Sequence, residues 1–198
     1  MGGLIRLSRT IDKFSVAIGR AAAWLIVVAV LVSSVNAVVR KLFDMSSNAW
    51  LELQWVLFSA VFMLCAAWAM QANEHIRIDI VNARLSRRTR NIIEVVGHVV
   101  FLFPLAILML VTSWPFFIKS VSINEQSASA GGLPQWPAKA LIFIGFALLL
   151  VQGISELIKR IAIMCGELSE GGEEGAPTGP AADVARLVGE EANPAEKR

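Results

Sequence analysis

Four long stretches of the chain contain no Asp, Glu, Lys or Arg, and that restricts what it can fold into. Ala21–Val39 runs 19 residues without such a charge, Leu53–Asn73 runs 21, Val95–Ile118 runs 24 and Ala140–Ser155 runs 16. A bilayer core about 30 Å thick needs about 20 helical residues at about 1.5 Å each. The expected fold is therefore all-α: a polytopic membrane domain, residues 1–166, with four transmembrane helices near 18–40, 50–73, 92–118 and 138–160. At 56% hydrophobic residues and a mean hydropathy of +0.61, the chain is more apolar than a soluble domain of its length. The first window has basic residues before it and a Val35-Asn36-Ala37 triplet resembling a cleavage site. Its 19 residues exceed the apolar core of about 7–15 in a signal peptide, so it reads as a retained span.

Basic residues distribute unevenly about these spans. Arg6, Arg9, Lys13, Arg20, Arg77, Arg84, Arg87, Arg88, Arg90, Lys159 and Arg160 fall on one side; Arg40, Lys41, Lys119 and Lys139 fall on the other. The positive-inside rule predicts both termini and the middle connection in the cytoplasm. From Glu167 the chain turns rich in Gly, Glu, Ala and Pro, with eight acidic and three basic residues to Arg198. Such a segment buries too little apolar surface to order itself, so 167–198 is expected to be a disordered acidic tail. Cys65 falls mid-span and Cys165 beyond the last span, too far apart for a disulfide.

Polar residues within the spans are few, and each is a candidate for function. Ser33, Asn36 and Arg40 share a helix face at i, i+3 and i+7. They read either as a polar seam toward another helix or as a self-bonded hydroxyl beside a rim arginine. Glu52 opens the second span between Trp50 and Trp55, at the face where Arg40 ends the first. An Arg40–Glu52 ion pair joining the two helices is expected, with two independent interfacial anchors as the alternative. His98 is expected to hydrogen-bond between helices, since a bundle haem needs paired histidines and the chain has two in all. Pro104 should kink the third span. Gly131-Gly132 make a turn before Trp136-Pro137, with Pro137 in the first turn of the fourth helix and Trp136 at the interface.

The cassette Asn73-Glu74-His75-Ile76-Arg77-Ile78-Asp79 packs several ionisable groups into the end of the second span. As a helix it sets His75 and Asp79 on one face at i, i+4 and Ile76 and Ile80 on the next. That suits a segment lying along the interface, with Arg77 free for phosphates or a partner. A metal site would need more ligands than this stretch offers. No nucleophile–base set, phosphate-binding loop or nucleic-acid module can be assembled, so neither catalysis nor nucleotide hydrolysis is expected, nor a cofactor.

Taken in order, Asn36-xxx-Arg40, Trp50-Leu51-Glu52, the His75-Ile-Arg77-Ile-Asp79 cassette, Glu125, Gly131-Gly132 and Trp136-Pro137 resemble the small membrane subunit, DctQ type, of TRAP transporters. These are the tripartite ATP-independent periplasmic transporters. The likeness runs over about Ser15–Gly166. Leu53 and Ser129 depart from it, where many relatives carry an acidic residue and Asn respectively. The resemblance implies a bacterial inner-membrane protein with two partners besides lipid. A periplasmic solute-binding protein captures an organic acid, and a large elevator-type permease carries it inward with sodium. The small subunit would then be a scaffold for the permease that also helps dock the binding protein. His75–Asp79 would stabilise a turn or contact the large subunit. Two other classes compete with this reading. A self-sufficient four-helix transporter would need Glu52 for proton coupling, and a redox-complex anchor would need haem or quinone.

Overall fold

The computed structural model describes residues 2–44, 47–72 and 87–165. Among them are four helical spans, each long and apolar enough to cross a membrane, and no strand longer than a single bridge. Helix α1 is Gly2–Phe43, α2 is Asn48–Gln71 and α5 is Trp136–Met164. The third span is composite: α3 (Arg87–Gly97), a π-helical turn (His98–Leu102) and α4 (Phe103–Ser122). Consecutive spans run in opposite directions. Residues 44–47 and 123–135 therefore connect them at one end of the bundle, the loop end. The start of α1, the end of α5 and the end of α2 share the other, terminal end.

Helices α1, α2, α4 and α5 bury residues at intervals of seven, most of them small. These are Ser8, Ser15, Ala22 and Ala29 on α1, and Ala60 and Ala67 on α2. On α4 they are Ala106, Ser113 and Ser120, and on α5 Gly145, Gln152 and Lys159. A seven-residue repeat keeps one face toward a neighbour when helices coil left-handedly. Small side chains there let backbones approach, which is what holds membrane helices together when lipid is as apolar as leucine. Gly145 shows how close: a Cβ there would stand 2.8 Å from the Met63 Cβ and 3.1 Å from its carbonyl oxygen. Helix α5 packs against α1, α2, α3 and α4, while α4 packs chiefly on α5. The large apolar side chains point outward instead; Trp24, Phe62 and Phe101 are each more than 70% exposed, as lipid-facing residues should be.

Three features add to or correct the sequence reading. Helix α1 starts well before residue 18. Its 42 residues make a rod about 63 Å long at about 1.5 Å per residue, twice a bilayer core. The disturbance expected from Pro104 takes the form of the π-helical turn before it. Proline in an α-helix would crowd the carbonyl four residues back, and the wider turn relieves that crowding by bonding the Phe103 N–H to the His98 carbonyl. His98 does not bridge helices: its Nδ1 lies 2.8 Å from the Glu94 carbonyl, one turn back on its own helix.

Candidate functional site

At the loop end, the first turns of α2 organise a connection that follows much later in sequence. Residues 125–127 run antiparallel to 133–135, with the Ser127 N–H on the Leu133 carbonyl (3.1 Å) and the Gln135 N–H on the Glu125 carbonyl (2.9 Å). The tip is closed by the Gly132 N–H on the Ser129 carbonyl (3.0 Å) and by the Ser129 N–H on the Ser127 hydroxyl (3.1 Å). Gly131 takes a φ of +70°, a left-handed conformation that glycine adopts without steric cost.

Glu52 lies beneath this tip and is 3% exposed. One carboxylate oxygen accepts from the Ser127 hydroxyl; the other accepts from the Leu133 N–H at 2.6 Å. A buried carboxylate is tolerable only when donors replace its water, and here a hydroxyl and a backbone amide do so. Asn48, one turn before Glu52 on the same face, donates to the Ala130 carbonyl at 3.0 Å. Gly132 is required by the fit: a Cβ there would stand 2.7 Å from Glu52 Oε1 and 2.5 Å from the Ser127 Cβ. Glu125, at the start of the connection, pairs with Lys139 of α5, whose ammonium also lies 3.9 Å from the centre of the Phe116 ring. The Lys139 hydrogen bond, the largest cause, holds the Glu125 carboxyl below its ordinary range. Trp136 is exposed at the start of α5. Pro137 sits in the first turn of that helix, as the sequence predicts.

Arg40 and Glu52 do not form the expected ion pair. Glu52 is occupied by the later connection, and Arg40 is exposed without a carboxylate partner among the described residues. Asn36 is half-buried and Trp50 exposed. His75, Arg77 and Asp79 lie outside the described residues. Among the described residues no group of three or more His, Cys, Asp or Glu side chains is placed to hold a metal ion.

The terminal end holds a second cluster that sequence reasoning missed. Asp12 of α1 accepts from Gln152 (2.8 Å) and Ser155 (2.9 Å) of α5 on one oxygen, while Lys159 of α5 stands 3.1 Å from the other. The Ser8 and Ser155 hydroxyls lie 2.7 Å apart, and Ser15 donates to the Gln152 carbonyl oxygen at 2.7 Å. Lys159 also meets Glu156 at 2.5 Å, and Arg160 pairs with Glu94 of α3 at 2.7 Å. Ser8, Ser15, Gln152, Ser155, Glu156, Lys159 and Arg160 are all buried. The signal was there: Ser8, Asp12 and Ser15 repeat at i, i+4 and i+7, as do Gln152, Glu156 and Lys159.

The family model for the DctQ component of tripartite ATP-independent periplasmic transporters matches residues 26–162. The chain belongs to the DctQ family. No curated protein and no solved structure matches it. As a DctQ component it is the small, multi-pass membrane subunit of a transporter whose other parts are a large permease and a binding protein. The Glu52 site and its connection fall wholly inside the matched residues. The α1 half of the terminal cluster, Ser8 to Ser15, precedes them.

Proposed function

We propose that this DctQ component is a static scaffold for the large permease subunit and that its loop end helps dock the periplasmic binding protein. The observation that carries this reading is the placement of its described ion pairs. Those between elements lie at the two ends of the bundle and join separate helices or a helix and a connection, while Lys159–Glu156 lies within α5. Charges that tie elements together at both ends resist relative motion, as a scaffold requires. The anchored connection 123–135 gives the loop end a defined surface for a protein partner. The positive-inside count puts this end in the periplasm and both termini in the cytoplasm of a bacterial cell whose inner membrane it spans. In this reading the permease moves by an elevator mechanism and couples to sodium. The carried organic acid and the sodium bind in the other subunits, and this one holds no cofactor.

Reconstitution tests the reading. Proteoliposomes holding both membrane subunits and supplied with the binding protein should take up the carboxylate along a sodium gradient. Those holding the small subunit alone should not. Uptake by the small subunit alone would overturn the scaffold role.

A further inference from the structure

Most polar side chains in the spans find partners inside the chain. Gln152 uses both ends of its amide, Asn48 reaches Ala130, and the Thr112 and Ser113 hydroxyls bond carbonyls of their own helix. Toward the terminal end, Gln71 Oε1 and Trp68 Nε1 are buried without a hydrogen-bond partner among the described residues, and two further side-chain amides break this pattern. Asn36 on α1 and Gln54 on α2 are each half-buried, and neither makes a hydrogen bond with any part of the chain among the described residues. Arg40, one turn beyond Asn36, is exposed and equally without a partner there.

The three belong to one hairpin edge. Gly19 of α1 packs on Trp68 of α2. Advancing 14 residues along each antiparallel helix from that contact sets Ser33 level with Gln54. That step is two heptads, so the facing sides are kept. Asn36 then lies about one turn from Gln54 along the hairpin, with Arg40 beyond it toward the loop end.

A hydroxyl in a membrane helix satisfies itself on the carbonyl one turn back. An amide carries two donors and an acceptor, and hydrocarbon offers partners for none of them. We propose that the α1–α2 edge bearing Asn36, Gln54 and Arg40 seats a transmembrane helix of the large permease subunit. That helix presents hydrogen-bonding side chains at the depth of the two amides and a carboxylate level with Arg40. The proposal rests on the scaffold reading above. A second copy of this chain fits the edge poorly, because a two-fold pairing would bring Arg40 near its own symmetry mate at the same depth. Lipid fits it poorly because both amides would stay unpaired.

The test is co-purification of the large subunit with an affinity-tagged small subunit carrying Asn36→Leu, Gln54→Leu or both. Interhelical hydrogen bonds of about 0.6–2 kcal/mol correspond to about threefold to thirtyfold in association. Each single variant should therefore recover several-fold less large subunit, and the double variant less still. The thermal stability of the isolated small subunit should be unchanged or raised, since no internal bond is lost. A photoreactive side chain in place of Asn36 or Gln54 should cross-link to the large subunit; one in place of lipid-facing Leu108 should not. Full recovery by the double variant, or cross-linking only to lipid or to a second small subunit, would overturn the proposal. If the unaltered small subunit recovers no large subunit, the scaffold reading itself fails, and that outcome is separate from the variants.

Discussion

At the loop end one carboxylate, Glu52, holds a serine 75 residues further along the chain; at the terminal end five ionised side chains from three helices form paired contacts. The first arrangement shapes a connection and leaves the packing of the spans to small residues. The second joins the spans themselves, α1 to α5 and α5 to α3. Their vulnerabilities should differ accordingly: one end should lose a surface, the other the bundle.

The largest effect is expected from Lys159→Met, which leaves Asp12 and Glu156 facing each other without their shared cation. Breaking a buried ion network by removing one partner costs about 3–5 kcal/mol, so the variant should purify poorly and unfold at a clearly lower temperature in detergent. Replacing Asp12, Glu156 and Lys159 together by apolar residues of similar size should recover most of that loss. If the triple variant were as unstable as Lys159→Met, the network would be needed for specific geometry and not only for charge balance. Glu52→Ala should act on the connection alone. The Ser127 hydroxyl and Leu133 N–H lose their acceptor, so cleavage by protease within 123–135 should accelerate while helix content stays constant. A large fall in helix content would erase the contrast between the two ends. Gly132→Ala should loosen the same connection by forcing a Cβ against Ser127 and Glu52, at about 1–3 kcal/mol, read by the same proteolysis. The smallest effect concerns pH. The Glu125 carboxyl is held below its ordinary value by Lys139, so its contribution is present above the unfolded carboxylate range and is lost only as pH falls through the lower, folded value. Protection of the connection should persist at pH values where a free glutamate already takes up protons, and Glu125→Gln should remove that acid dependence.

The four spans were legible because hydrocarbon excludes charge, and charge is the plainest feature of a sequence. Pro137 and the Gly131-Gly132 turn were legible for local reasons, since each residue type states its own conformational preference. The Glu52 site was not. Arg40 ends the first span at the same face, but a carboxylate on a helix takes whichever donors the fold delivers, and these came from a connection after the third span. The terminal cluster was missed because Glu156 and Lys159 resemble rim anchors when α5 is considered alone. Only the matching repeat of Ser8, Asp12 and Ser15 on α1 reveals a partner, and that part of α1 lies before the apolar window. His98 was misassigned because a helical imidazole reaches its own backbone as readily as a neighbouring helix.

The length of α1 has a mechanical consequence. A helix twice as long as the hydrocarbon is thick, unbroken from Gly2 to Phe43, behaves as a strut protruding from the membrane. Its exposed basic residues Arg6, Arg9 and Lys13 stand on the protruding part, pinned sideways to α5 by Ser8, Asp12 and Ser15. Whatever grips those basic residues is therefore held in fixed register with the outermost turn on the far side. On the scaffold reading proposed above, such a strut would be the ruler against which the permease is displaced.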